Sequence, residues 1–499
     1  MDASLPGDQL VLVAGALLAF GVLSLGLAQR LRAPSLLVFL AIGMALGSDG
    51  LGWIEIGFED LRTIQVAGTA ALVLILYEGG LATPRSAFER VAAPALVLAT
   101  VGVALTAGVV ALFTWSVLGL EGSTALLIGA VVASTDAAAV FAAMRGAPLP
   151  ERVRQLLQVE SGFNDPMAVL LTVGAIEVWR GAPAAGDWLA FGALQLGGGA
   201  IVGLGLGLGG ARILGRVRLA NASAYPVFAL AVAGLAYGTA TTAGASGFLA
   251  VYVAGLVVGN RVPRHRRLIR SFHDGLSSVA EIGLFLLLGL LVFPSQVLDL
   301  SGRGLLIALV LVFVARPLAV WLVLPWFSIP AREAWIVAWA GLRGAVPIVL
   351  ATFPLSAGHP DGPLIFDVVF FVVVVSAAVQ GATVAPLARR LGLQPAASPW
   401  DAMVEVVPLD GVAGEMVEVE LDATSSVVGR TLADAPLPKG ARVAAVLRDH
   451  RVVVPTGVTA LLAGDRLLVI AEEGQVEDLA RWSGSPDEPS GGRRANPDV

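Results

Sequence analysis

Long apolar runs recur along this 499-residue chain, and they constrain its fold more than any other feature. A helix rising about 1.5 Å per residue needs about 20 apolar residues to cross a hydrocarbon core roughly 30 Å thick. Read with that window, the chain carries thirteen candidate spans: 9–29, 34–48, 62–82, 92–118, 122–144, 155–178, 187–211, 222–241, 244–259, 276–293, 304–327, 333–354 and 364–388. Charged residues are only 14% of the sequence, against about a quarter in a water-soluble chain, so most of the protein is expected inside lipid. The start, MDASLPGDQL, has no positive stretch before its apolar run, and the first segment reads as a retained span, not a cleaved signal peptide. No Cys is present, which excludes disulfides and thiolate metal sites. The basic residues sit in short loops and form no nucleic-acid face.

Loop charge orients the spans. One set of alternate loops holds Arg30 and Arg32, Arg85 and Arg90, Arg145, Arg152 and Arg154, and Arg212, Arg216 and Arg218. The same side continues with Arg261, Arg264, Arg266, Arg267 and Arg270, then Arg332, then Arg389 and Arg390. The opposite loops offer Arg62, Arg180 and Arg303 beside Asp49, Glu55, Glu59, Asp60 and Glu121. Positive residues mark the cytoplasmic side, which puts the N-terminus outside and the C-terminus inside a bacterial-type plasma (inner) membrane. An odd number of spans preserves the alternation.

The composition changes after the last span. Residues 1–392 read as the membrane domain, 393–403 as a linker, 404–476 as a small cytoplasmic α+β domain and 477–499 as a tail expected to be disordered. The strand-like stretches are EMVEVELD, ARVAAVLRD, HRVVVPTG and RLLVIA, and TSSVVGRTLADAPL predicts a short helix capped by Thr424 or Ser425.

Ionisable groups at membrane depth point to function. Asp165 lies ten residues into the sixth span, roughly 15 Å from its inner end, and Asp136 and Arg343 fall near the middle of the fifth and twelfth. Residues four apart on a helix share a face. Glu160 and Asn164 therefore form one polar face and Ser161 and Asp165 the adjacent one. Arg343 is the expected partner of Glu160, since a buried carboxylate needs a cation. That leaves Ser161 and Asp165 with hard oxygen ligands, suited to a proton or a dehydrated monovalent cation bound at Asp165. Glu281 and Arg316 are expected to form a second internal pair. Gly341, Gly344 and Pro347 around Arg343 break the twelfth span, and Ser134 and Thr135 weakly suggest a break in the fifth. These spans lie seven apart and run in opposite directions, as in the inverted halves of a transporter with a midplane site. The glycine-rich run 197–210 reads as close helix packing, and as a candidate subunit contact.

Three motifs, STDAAAVF, ESGFNDPMAV and GLRGAVP, resemble those of NhaP-type monovalent cation:proton antiporters of the Asn-Asp branch, over about residues 9–390. The resemblance implies the sodium/proton antiporter fold: thirteen transmembrane helices with inverted repeats and crossed discontinuous helices. It implies an ion site of Asp165, Asp136, Ser161 and Thr135, the last through its carbonyl, with Glu160, Asn164 and Arg343 as structural support. It also implies a homodimer and electroneutral exchange. The cytoplasmic segments SSVVGRTLADAPLP, VAAVLRDHRVVVPTG and LLAGDRLLVIA resemble the TrkA-C regulatory domain, which implies dimerisation and a small regulatory ligand of nucleotide type. No G-x-G-x-x-G follows a strand, so NAD or ATP binding is not supported.

The expectation is therefore a secondary antiporter and not an enzyme. It needs no cofactor, exchanges K⁺ or, less favourably, Na⁺ for protons, and serves cation, pH and volume homeostasis. The rival readings are a gated cation channel, for which a TVGYG-type filter is missing, and a transport-silent ion or ligand sensor.

Overall fold

A computed structural model describes residues 12, 15–24, 26, 34–54, 61–144, 149–181, 190–219, 221–262, 265–293, 295, 301–393, 404–408, 415–422, 425–435, 437–448, 451–471, 478, 479 and 482. Two compact units divide at Gln394 and Pro395. The expected 393–403 linker, apart from Leu393, and the N-terminal segment up to residue 11 lie outside the described residues. So does all of the expected tail except residues 478, 479 and 482.

Helices are the regular secondary structure of the first unit among its described residues. Seven helices are long and apolar enough to cross a membrane: α3 (Arg62–Ala82), α4 (Arg85–Ser116), α8 (Ala190–Arg216), α9 (Ala224–Thr242), α11 (Arg266–Leu290), α12 (Gly302–Phe327) and α15 (Gly362–Arg390). Shorter apolar helices are α1 (Gly15–Ser24), α2 (Ser35–Leu46), α5 (Gly122–Val131), α10 (Gly247–Arg261) and α14 (Ala345–Ser356). Three others complete the described set: α6 (Ala137–Ala143), α7 (Glu151–Gly181) and α13 (Ala331–Trp339). At 31 residues α7 is long enough to cross, with its apolar run interrupted by the polar groups of its middle. The expected fifth span is two half-helices, α5 and α6, and the expected twelfth is α13 and α14. The fifth breaks as fully as the twelfth, although its sequence carries no glycine or proline at the gap.

Small residues let the helices approach closely. A side chain at Gly203 would meet the Ala250 backbone, and one at Gly255 the Tyr77 carbonyl, so α8, α10 and α3 pack nearly backbone to backbone. The glycine-rich run thus uses one face, Gly199, Gly203 and Gly207, against α10, while Gly205 and Gly209 have nothing beside them.

The second unit is a five-stranded antiparallel sheet in the order β1-β2-β5-β3-β4: β1 Val404–Pro408, β2 Glu415–Glu420, β3 Arg442–Arg448, β4 Arg451–Val453 and β5 Arg466–Ala471. Val419, Val446, Leu467 and Val469 alternate inward and fill its core with Leu421, Leu461 and Leu479. The helix expected near Ser425 is instead a run of turns, pinned to the 457–461 segment by Leu432 N–H to Thr459 O and Leu461 N–H to Arg430 O. These bonds between distant parts of the chain satisfy backbone groups that a helix would have paired internally.

Candidate ion site where two interrupted helices cross

Each gap between half-helices frees backbone groups that must find partners inside the protein. The 132–136 and 340–344 gaps supply them to each other. Asp136 N–H donates to the Leu342 carbonyl at 2.8 Å. Arg343 Nη1 donates to the Ser134 carbonyl at 2.5 Å and to the Ala133 carbonyl at 3.1 Å. A guanidinium thus sits on the carbonyl-rich C-terminal end of α5, where the helix dipole favours a cation.

Asp136 caps the other half. Its extended backbone starts α6, and its Oδ1 accepts from Ala139 N–H at 3.1 Å, which places a carboxylate at a helix N-terminus. The same carboxylate lies directly against Gly344, in the space a Cβ there would take.

The middle of α7 packs over this crossing. Ser161 Oγ donates to the Thr135 carbonyl at 3.0 Å and accepts from Ala137 N–H at 3.3 Å. Asn164 Nδ2 donates to Thr135 Oγ1 at 2.5 Å. Asp165, only 7% exposed, lies close enough to Asp136 for their charges to interact, and among the described residues no hydrogen bond to its carboxylate is found. The crossing therefore brings together the four residues Asp165, Asp136, Ser161 and Thr135. The Thr135 carbonyl, bonded once by Ser161, keeps a second lone pair. Two carboxylates, a hydroxyl and a carbonyl make a hard oxygen donor set, the kind that replaces water around an alkali cation.

The supporting pair differs from the expectation. Glu160 pairs with Arg316, not Arg343: Nη1 to Oε1 is 2.6 Å and Nη2 to Oε2 is 2.9 Å, with the side chains 0% and 2% exposed. Arg343 bonds the Ala133 and Ser134 carbonyls just past α5, and Asn164 bonds Thr135, so neither hydrogen-bonds Glu160. Arg316 follows a π turn at Leu311–Ala315 in α12, and its Nη2 also donates to the Val337 carbonyl at 3.4 Å. The expected Glu281–Arg316 pair is replaced accordingly, since both terminal nitrogens of Arg316 go to Glu160. Two arginines at similar depth could not be told apart from helical spacing alone.

Sequence reasoning also missed Tyr252 of α10. Its ring fills the space over Gly162, stacks edge-on to Phe163 at 5.1 Å, and brings its hydroxyl to 3.4 Å from Thr83 Oγ1. It lies near enough to Asp165 to feel its charge. The available signal was Gly162 itself, a glycine in mid-helix beside the polar pair, where another group must come close.

Known proteins resemble this one along most of its length. The family described as sodium/hydrogen exchanger, transmembrane, matches residues 15–390, and the TrkA-C domain matches residues 416–484. The K(+)/H(+) antiporter NhaP2 of Shewanella oneidensis is 40% identical over 488 residues, covering 95% of this chain and 83% of that protein. The K(+)/H(+) antiporter NhaP of Alkalimonas amylolytica is 40% identical over 481 residues, 94% of this chain and 82% of its own. Among solved structures, the sodium proton antiporter MjNhaP1 from Methanocaldococcus jannaschii aligns with a TM-score of 0.68 at 25% identity, covering 76% of this chain and 98% of that one.

Proposed function

Because the chain belongs to the sodium/hydrogen exchanger family, we propose that it is a secondary antiporter that trades a monovalent cation for protons at Asp165. The observation that carries this reading is a buried carboxylate with no bonded partner among the described residues, faced by oxygen ligands that are already fixed. Ser161 and the Thr135 carbonyl are held by their own hydrogen bonds, and Asp136 by its cap, so a cation meets a preformed shell and little ordering cost is left. Asp165 carries a proton or helps to hold the cation, and the two compete for the same oxygens. Alternation of the loaded site between the two sides of the membrane then couples the two gradients without ATP.

One exchangeable charge supports one proton per cation. Asp136 has Arg343 at the same crossing, and Asn164, beside Asp165, is neutral. Exchange is accordingly electroneutral. K⁺ is the preferred cation, in line with the names of the relatives at 40% identity, and Na⁺ the alternative. Thirteen spans, two of them interrupted, put the N-terminus outside and the TrkA-C unit in the cytoplasm, where a small ligand would set the activity of a homodimer.

Proton flux in proteoliposomes after a K⁺ or Na⁺ pulse tests the assignment. The unsubstituted protein is expected to move protons in the direction opposite to the cation, and Asp165→Asn to move none. Flux surviving in Asp165→Asn would remove Asp165 from the mechanism, and flux that follows an imposed voltage would remove electroneutrality.

A further inference from the structure

The gap between α13 and α14 frees two groups that its own half-helices do not satisfy: the Trp339 carbonyl at the end of α13 and the Arg343 N–H ahead of α14. Both are taken up by one face of α15. Gln380 Nε2 donates to the Trp339 carbonyl at 2.8 Å, and Ser376 Oγ accepts from Arg343 N–H at 3.3 Å. Ser376 in turn donates to Gln380 Oε1 at 2.5 Å. The two residues are four apart, one helical turn, so they stack on the same face, and they are 0% and 1% exposed. A carbonyl only accepts and a backbone N–H only donates. The bonds therefore run in one direction, from Arg343 through Ser376 and Gln380 to Trp339, and they fix which way the Gln380 amide faces.

We propose that Ser376 and Gln380 are positioning residues of the ion site, a clamp that holds residues 340–343 in the register the site needs. Within that segment the Leu342 carbonyl receives Asp136 N–H, and Arg343 holds the Ala133 and Ser134 carbonyls. The clamp thus reaches Asp136 and the Thr135 carbonyl through the backbone, without touching the ion. The two gaps are satisfied differently. The 132–136 gap leans on a charged guanidinium, while the 340–343 gap is closed by a hydroxyl and an amide that do not titrate. Neither clamp residue therefore changes its own charge when Asp165 exchanges a proton for a cation.

The inference rests on Asp165 as the transport carboxylate, and the test separates the two claims. The half-saturating K⁺ concentration and the maximal rate of proton flux are measured in proteoliposomes for the unsubstituted chain, Ser376→Ala, Gln380→Met, the double variant and Ser376→Thr. Either single variant is expected to raise the half-saturating concentration about five- to tenfold, the factor carried by a hydrogen bond of ordinary net strength. The maximal rate should change less than about twofold. The double variant should do little more than either single one, because one chain of bonds is broken in both, and Ser376→Thr, which keeps the hydroxyl, should restore the original value. Variants with unchanged half-saturation, or singles whose effects multiply in the double, would overturn the clamp, as would a lowered unfolding midpoint with ion affinity intact. The two singles break the chain at different links, so unchanged half-saturation in either folded variant already overturns the clamp. An unsubstituted protein with no flux would instead refute the antiport reading.

Discussion

Asp165 can exchange ligands only if no fixed cation claims it, and the residues around it divide along that line. Arg343 Nη1 bonds the Ala133 and Ser134 carbonyls and Arg316 bonds Glu160, which in the proposed mechanism leaves Asp165 to the transported ion. The Glu160–Arg316 pair is fully buried, so removing one partner strands the other. Glu160→Gln is expected to destabilise the membrane unit by about 3 kcal/mol, the cost typical of breaking a buried pair. Glu160→Leu with Arg316→Met should cost clearly less than the sum of the single changes in thermal unfolding of the detergent-solubilised protein. The faces of α7 were legible from residue spacing, because helical geometry alone sorts 160, 161, 164 and 165. The identity of the arginine was not, because partner choice depends on which neighbouring helix reaches that depth. In the sheet unit, burial pushes the Asp465 carboxyl up, but the Arg448 guanidinium and the Leu462 N–H outweigh burial and hold it below the usual carboxylate range. A folded pKa below the unfolded one contributes stability above the unfolded value, near about pH 4, that is lost as pH falls through the folded pKa. Protease resistance of this unit should therefore hold at neutral pH and decline below about pH 4. In Asp465→Asn the resistance should be lower at neutral pH and less dependent on acid.

At the scale of elements, the site exists because two spans stop halfway. The twelfth announces its break with Gly341, Gly344 and Pro347. The fifth breaks at Ser134-Thr135-Asp136, where side chains from α7 and the backbone of the other gap replace the missing helical bonds, and no local residue pattern encodes partners that distant. Gly344 is the tightest position, since the Asp136 carboxylate takes the room of a side chain there. Gly344→Ala should displace Asp136, an overpacking cost of about 1–3 kcal/mol. Cation-dependent proton flux is expected to fall about tenfold or more, while Gly205→Ala, at an open position of α8, should leave it unchanged. The turns after Ser425 show the opposite limit. Local sequence there favours a capped helix, and pairing with the 457–461 segment overrides it.

For the whole molecule, apolar length and alternating Arg were enough to read a polytopic helical protein with a separate sheet domain, because lipid leaves a chain few choices. The relation of one span to another was not readable in that way, since it lives in packing between helices. All the residues of the proposed ion site belong to the first compact unit, so a chain ending at Gln394 is expected to keep its maximal exchange rate within about twofold and to lose only the response to the second unit. The central claim, that proton and cation compete for Asp165, is tested most directly by the half-saturating K⁺ concentration of proton flux measured across pH in proteoliposomes. Competition predicts that this concentration rises with proton concentration, approaching about tenfold per pH unit on the acid side, while the maximal rate at saturating K⁺ stays level. A half-saturating concentration independent of pH, with only the maximal rate changing, would contradict it.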